Sequence, residues 1–146
     1  MDNKSSGITA PKTLSLFLAV VFAAVGLIFL VMPGGVLRFF NTVSRPLGMA
    51  SAPEVGHQFY LILAVAYMYT VTLLAWLMFR QPQNKAYPLL LSHAKLASSL
   101  LSFSLFFIHR PYLIYLANGI TDGAIGLAVL FIYLRMRQNP TLEHSP

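Results

Sequence analysis

The chain has 146 residues, of which 57% are hydrophobic and only 10% charged, and its mean hydropathy is +0.68. A soluble domain carries about 25% charged residues, and so small a volume cannot hide this much apolar surface from water. The net charge of +6 does not mark a nucleic-acid binder, because the basic residues gather at the ends of apolar runs and no recognition motif accompanies them. With no cysteine, disulfides, iron–sulfur clusters, thiolate zinc sites, cysteine nucleophiles and CxxC redox chemistry are all excluded.

Residues 1–12 are short and polar and read as a loose tail. Thr13 to Met32 is an apolar run of about 20 residues, long enough to span a bilayer. It is too long for a signal-peptide core and lacks a clear small-x-small cleavage site. Ala19, Ala23 and Gly26 fall on one side of this helix, a small-residue seam suited to close packing. Pro33-Gly34-Gly35 is expected to stop the helix. Residues 33–56 then form the longest connection, broken again at Arg45-Pro46 and Ala52-Pro53. Within it, Val36-Leu37-Arg38-Phe39-Phe40 suits either a short segment lying in the membrane interface or a loop covering the bundle.

The second span runs from about His57 to Phe79, with Tyr60, Leu63, Tyr67, Leu74 and Met78 on one stripe at helical spacing. Such stripes are more often packing than chemistry. Trp76 and Phe79 fit an interfacial aromatic belt. After a short polar turn over 80–86 come the third span, Tyr87 to Ile108, and the fourth, Tyr112 to Leu134. The turn His109-Arg110-Pro111 joins them, and the tail opens with Arg135 and Arg137. The whole reads as one all-α domain, a four-helix transmembrane bundle with spans near 13–32, 57–79, 87–108 and 112–134. Lys4, Lys12, Arg80, Lys85, Arg135 and Arg137 share one side, against Arg38, Arg45 and Arg110 on the other. The positive-inside rule then places both termini in the cytoplasm, in a bacterial-type inner (plasma) membrane.

The last two spans carry the informative polarity. Each has eleven Leu, Ile, Phe or Val residues, each contributing roughly −0.3 to −0.6 kcal/mol to insertion, whereas a central Lys or Asp costs about +2.5 to +3.5 kcal/mol. Lys95 and five serines offset the third span; Asp122, Asn118 and three glycines offset the fourth. Both are marginal alone, so they are expected to insert as a hairpin. At about 100° per residue, Ser92, Lys95, Ser99, Ser102, Phe106 and His109 share one face of the third helix. Tyr115, Asn118, Asp122, Gly126 and Tyr133 share one face of the fourth. Counted along antiparallel helices at about 1.5 Å per residue, Lys95 and Asp122 differ in depth by roughly 6 Å. A lysine side chain covers that distance, with Gly126 leaving room for it to cross. Side chains lean toward their own helix N-terminus, which pulls the pair apart, so a direct ion pair and a Ser- or water-bridged one both fit.

This buried polar seam of Lys95, Asp122, Asn118, Ser92, Ser99 and Ser102 has two readings. One is a structural clasp, with Gly119, Gly123 and Gly126 as helix-packing positions. The other is a proton, ion or ligand path, with Tyr60, Tyr67, Tyr115 and His109 as candidate ligand-lining residues. His93 and His109 lie too far apart on one helix to share a metal. His57 and His109 share the non-cytoplasmic end, where hydrogen bonding is the commoner role. No HExxH, GxSxG or phosphate-cradling glycine loop occurs. No catalytic residue, metal or cofactor is therefore expected.

Gly26-Leu27-Ile28-Phe29-Leu30 leading to Pro33, then Leu37-Arg38-Phe39-Phe40, with Asp122-Gly123 in a fourth span, resembles the small four-helix DoxX-like membrane proteins. The resemblance implies a compact four-helix bundle and, for some members, a cofactor- or quinone-linked role; no functional residue is carried over from it. The function expected is a non-catalytic accessory or structural subunit of a membrane complex, or a homo-oligomer. Its partners are the lipid bilayer and another membrane protein or a second copy, with no nucleic acid. The alternative is a small transporter or a lipid- or quinone-type ligand-binding protein using Lys95 and Asp122.

Overall fold

The computed structural model describes residues 6–54 and 58–138, with side chains from 12–54 and 60–138. It is all-helical in this region apart from one isolated parallel bridge between Ala50 and Tyr112. The helices are α1 (Ser6–Val31), α2 (Pro33–Ser44), α3 (Gln58–Arg80), α4 (Ala86–Ile108) and α5 (Leu113–Gln138), with a short 3-10 turn at Arg45–Leu47 after α2. All but α2 are long and apolar enough to cross a membrane. His57, named above at the start of the second span, lies outside the described residues.

Two tight helix pairs make the bundle, α4 with α5 and α1 with α3, and α3 and α4 join the pairs. Between α1 and α3 the core is Leu18, Ala19 and Phe22 against Val71, Ala75 and Met78, completed by Leu91 of α4 and Val129 of α5. Farther along the same seam a Cβ at Gly26 would lie 3.1 Å from Met68 Cβ. The expected small-residue seam is therefore Ala19 and Gly26 with Phe22 between them; Ala23 is exposed. On α3 the predicted stripe divides. Met78 is buried and Tyr67 and Leu74 half-buried, whereas Tyr60 and Leu63 are exposed.

The stretch over 33–47 differs most from expectation. Pro33 does end α1, but it also begins α2, where its fixed φ and missing N–H suit the first helical position. Met32 alone separates the helices, at φ −134° and ψ 53°, because a residue before proline is driven out of the α region. α2 turns the polar Asn41 and Ser44 inward and leaves Arg38, Phe39, Thr42 and Val43 exposed.

Asn41 fastens the rest of the connection. Its Nδ2 donates to Ala52 O at 2.8 Å and to Glu54 Oε1 at 3.2 Å, and its Oδ1 accepts from Ala52 N at 2.7 Å. Gly48 takes the left-handed conformation, φ 65°, that lets its N–H close on Arg45 O. The connection is thereby laid against Tyr112, at the turn into α5.

The last two helices come together through their glycines. A Cβ at Gly126 would lie 2.9 Å from Leu96 Cγ and 3.1 Å from the α4 backbone nitrogen of Leu96; one at Gly119 would meet the Phe103 ring at 3.1 Å. Pro88 is accommodated in the first turn of α4, where its N–H would have had no helical partner.

Two outcomes follow from this packing. Gly126→Val should force α4 and α5 apart and cost on the order of 1–3 kcal/mol of unfolding free energy, read in bicelles by steric trapping, with Gly35→Ala near neutral as control. Asn41→Ala should speed hydrogen exchange at the Ala52 amide by about tenfold or more and leave the Val71 amide unchanged.

Candidate functional site

Four of the polar residues predicted for one face of α4 are buried: Ser92, Lys95, Ser99 and Ser102. Farther along that face Phe106 is half-buried and His109 exposed. On α5, Asp122 and Gly126 are buried, Tyr115 and Tyr133 are half-buried, and Asn118 is exposed. The facing surfaces meet in a ladder of three polar rungs.

Nearest the turn, Asn118 Nδ2 donates to Ser102 Oγ at 2.8 Å and to Ser98 Oγ at 3.3 Å. Next, Ser99 Oγ donates to the Gly119 carbonyl at 2.7 Å, while a Cβ at Gly123 would come within 2.8 Å of the same hydroxyl. The glycine is what lets a serine reach the backbone of the opposing helix. Last comes Lys95 Nζ, donating to Asp122 Oδ1 at 2.7 Å, with side chains only 3% and 6% exposed. The pair is direct, with no serine between its members. Ser92 lies off the ladder, its hydroxyl returned to Leu89 O of its own helix. Gly126 faces Leu96 rather than the lysine, so the room it makes is for backbone approach and not for the Lys95 side chain to cross.

Two rings close over the ammonium. Lys95 Nζ stands 4.4 Å from the Phe22 ring centroid and 5.2 Å from that of Tyr67, in the range where a cation is drawn to an aromatic face. Tyr67 is fixed by its hydroxyl, which donates to the Ala94 carbonyl at 3.1 Å. One ion pair therefore gathers side chains from α1, α3, α4 and α5. Phe22 was not singled out in the sequence, although it falls three residues after Ala19 and four before Gly26, on the seam that was.

The remaining candidates stand apart. Tyr60 is exposed. His93 is exposed, with Nδ1 2.8 Å from Leu89 O. Among the described residues no three His, Asp or Glu side chains gather to hold a metal ion. Asp122 Oδ2 has no hydrogen-bond partner, the one such buried side-chain oxygen or nitrogen among the described residues.

Four spanning-length helices clasped by intramembrane polarity support the class of small polytopic membrane proteins. Comparison with protein-family models, with curated proteins and with solved structures returned no match.

The ring cage makes a separable prediction. Tyr67→Phe keeps the ring and loses one hydrogen bond, at a cost of about 1 kcal/mol. Phe22→Leu loses the nearer ring from beside a desolvated cation and leaves a partly filled space, at roughly 2–3 kcal/mol. Unfolding free energies in bicelles should rank the two in that order.

Proposed function

We propose that this chain is a non-catalytic accessory subunit of a membrane complex, or a homo-oligomer, held in shape by the buried seam between α4 and α5. The observation carrying this reading is the 2.7 Å contact of Lys95 with Asp122. Charges used against each other across a hairpin fix helix pairing and register. The outer face of α5 supplies a surface for another helix. Thr121, Ala124 and Ala128 are exposed along it, and small or hydrogen-bonding residues at such positions favour helix contact over acyl chains.

Orientation and location belong to the same proposal: both termini in the cytoplasm, supported by the six-to-three distribution of basic residues, and a bacterial-type plasma membrane. So does membership of the DoxX-like proteins. Its support is Gly26 at a helix crossing, α2 carrying Leu37-Arg38-Phe39-Phe40, and Asp122-Gly123 within the fourth spanning helix.

One observation favours the alternative, a small transporter or ligand-binding membrane protein. Asp122 keeps one buried oxygen unpartnered, and such a group inside a membrane is the usual mark of a pathway or a ligand.

Photocrosslinking in native membranes tests the subunit reading. A photoreactive residue at Ala124 should give an adduct with a second copy or with one partner that copurifies at fixed stoichiometry, and one at the exposed Leu27 should give lipid adducts only. A monodisperse monomer with no protein adduct at Ala124 overturns it. For the alternative, Asp122→Asn should lower flux in proteoliposomes relative to the native chain, and unchanged flux excludes the path.

A further inference from the structure

We propose that the end of the bundle where α3 and α5 finish is a docking surface for anionic phospholipid. Phosphate sits on Arg80 and Arg135, and the upper part of an acyl chain lies on Trp76 and Phe131. This goes beyond the subunit reading above and does not depend on it.

Charge is the first ground. α1 and α4 begin at this end, and α3 and α5 finish there. Residues 1–12, 80–86 and 135–146 hold six basic residues and two acids, Asp2 and Glu143. The other two acids are engaged elsewhere. Asp122 is paired with Lys95, and Glu54 accepts from Asn41 in the connection at the opposite end. Six against two leaves a positive excess that the chain itself does not neutralise. Among the described residues Arg80, Arg135 and Arg137 are all exposed.

What lies beneath two of these arginines decides the kind of anion. The Arg135 guanidinium carbon stands 4.4 Å from the centre of the Phe131 ring, a contact that uses none of the guanidinium's hydrogen-bond donors. Phe131 is itself exposed, and Leu127 and Leu134 are exposed beside it on the same stripe of α5. On α3 the arrangement repeats. Arg80 ends the helix, and one turn below it Trp76 is exposed, its ring 5.5 Å from that of Phe79.

A partner for this surface must therefore carry negative charge and hydrocarbon in that order along the helix axis. A nucleic acid or an acidic peptide brings the charge alone. A zwitterionic lipid brings hydrocarbon, but its own ammonium opposes the attraction to arginine. A phospholipid with net negative charge meets both requirements: its phosphate matches the guanidinium fork, and its chain covers the ring below.

The chain holds a single tryptophan, Trp76, and it stands in this surface. In nanodiscs of mixed phosphatidylglycerol and phosphatidylcholine, with one lipid or the other brominated on an acyl chain, its quenching reads which lipid lies against it. Brominated phosphatidylglycerol should be preferred about fivefold, the effect of one basic residue near an anionic surface. Arg80→Gln or high KCl should bring the two lipids close to equal, while Arg110→Gln at the opposite end should leave the preference intact. Phe131→Trp in a Trp76→Phe background moves the probe to α5, where Arg135→Gln should act in the same way. Equal quenching by the two lipids in the native chain, or a preference that survives both Arg80→Gln and high KCl, overturns the proposal. Loss of the preference on adding inorganic phosphate at constant ionic strength makes this a site for free phosphate and overturns the lipid assignment. Should an arginine variant fail to fold, the salt dependence of the native chain still decides.

Discussion

A lysine and an aspartate stranded within hydrocarbon are the constraint to which the rest of this bundle answers. Each alone costs its helix about 2.5–3.5 kcal/mol of insertion free energy, enough to make both of the last two spans marginal. Paired at 2.7 Å, they place one net-neutral group inside the protein. Two aromatic rings brought by α1 and α3 cover its cationic half. The pair is thus also the point at which the two helix pairs recognise each other.

Geometry around the pair follows from the need to bring α4 and α5 close. Lysine is long, but Asp122 and Ser99 are short, and their bonds across the interface require backbones nearer than ordinary side chains permit. Gly119, Gly123 and Gly126 supply that approach, each against a different α4 residue: Phe103, Ser99 and Leu96. Polar rungs and glycines therefore form one device, in which removal of the glycines would leave the hydrogen bonds out of reach. The fully buried apolar residues of α1, α3, α4 and α5 lie from the depth of the pair toward the basic ends of α3 and α5. Toward the other end the helices rely on the serine and asparagine rungs and on the connection pinned by Asn41.

Much of this was legible in the chain because hydrophobic periodicity and charge cost are local properties. The four spans, the shared face of Ser92, Lys95, Ser99 and Ser102, and the depth match of Lys95 with Asp122 all come from counting residues along helices. What could not be read depended on azimuth between helices distant in sequence. Phe22 joins the ion pair because α1 is rotated to present it, and a wheel of α1 alone gives no reason to prefer it over Ala23. Gly126 was matched to Lys95 by depth, yet its rotation sets it against Leu96. Pro33-Gly34-Gly35 carried a stop signal that was also a start signal, since proline ends one helix and suits the first turn of the next. Tyr60 and Tyr67 share a helical stripe, but the interface covers only the later of them.

A double-mutant cycle on Lys95→Met and Asp122→Leu, with unfolding free energies measured by steric trapping in bicelles, tests the pairing most directly. Each single replacement leaves an uncompensated buried charge and should cost about 3–5 kcal/mol, while the double replacement should recover most of that loss. Two single losses that simply add in the double variant would show that the charges do not hold the hairpin through each other.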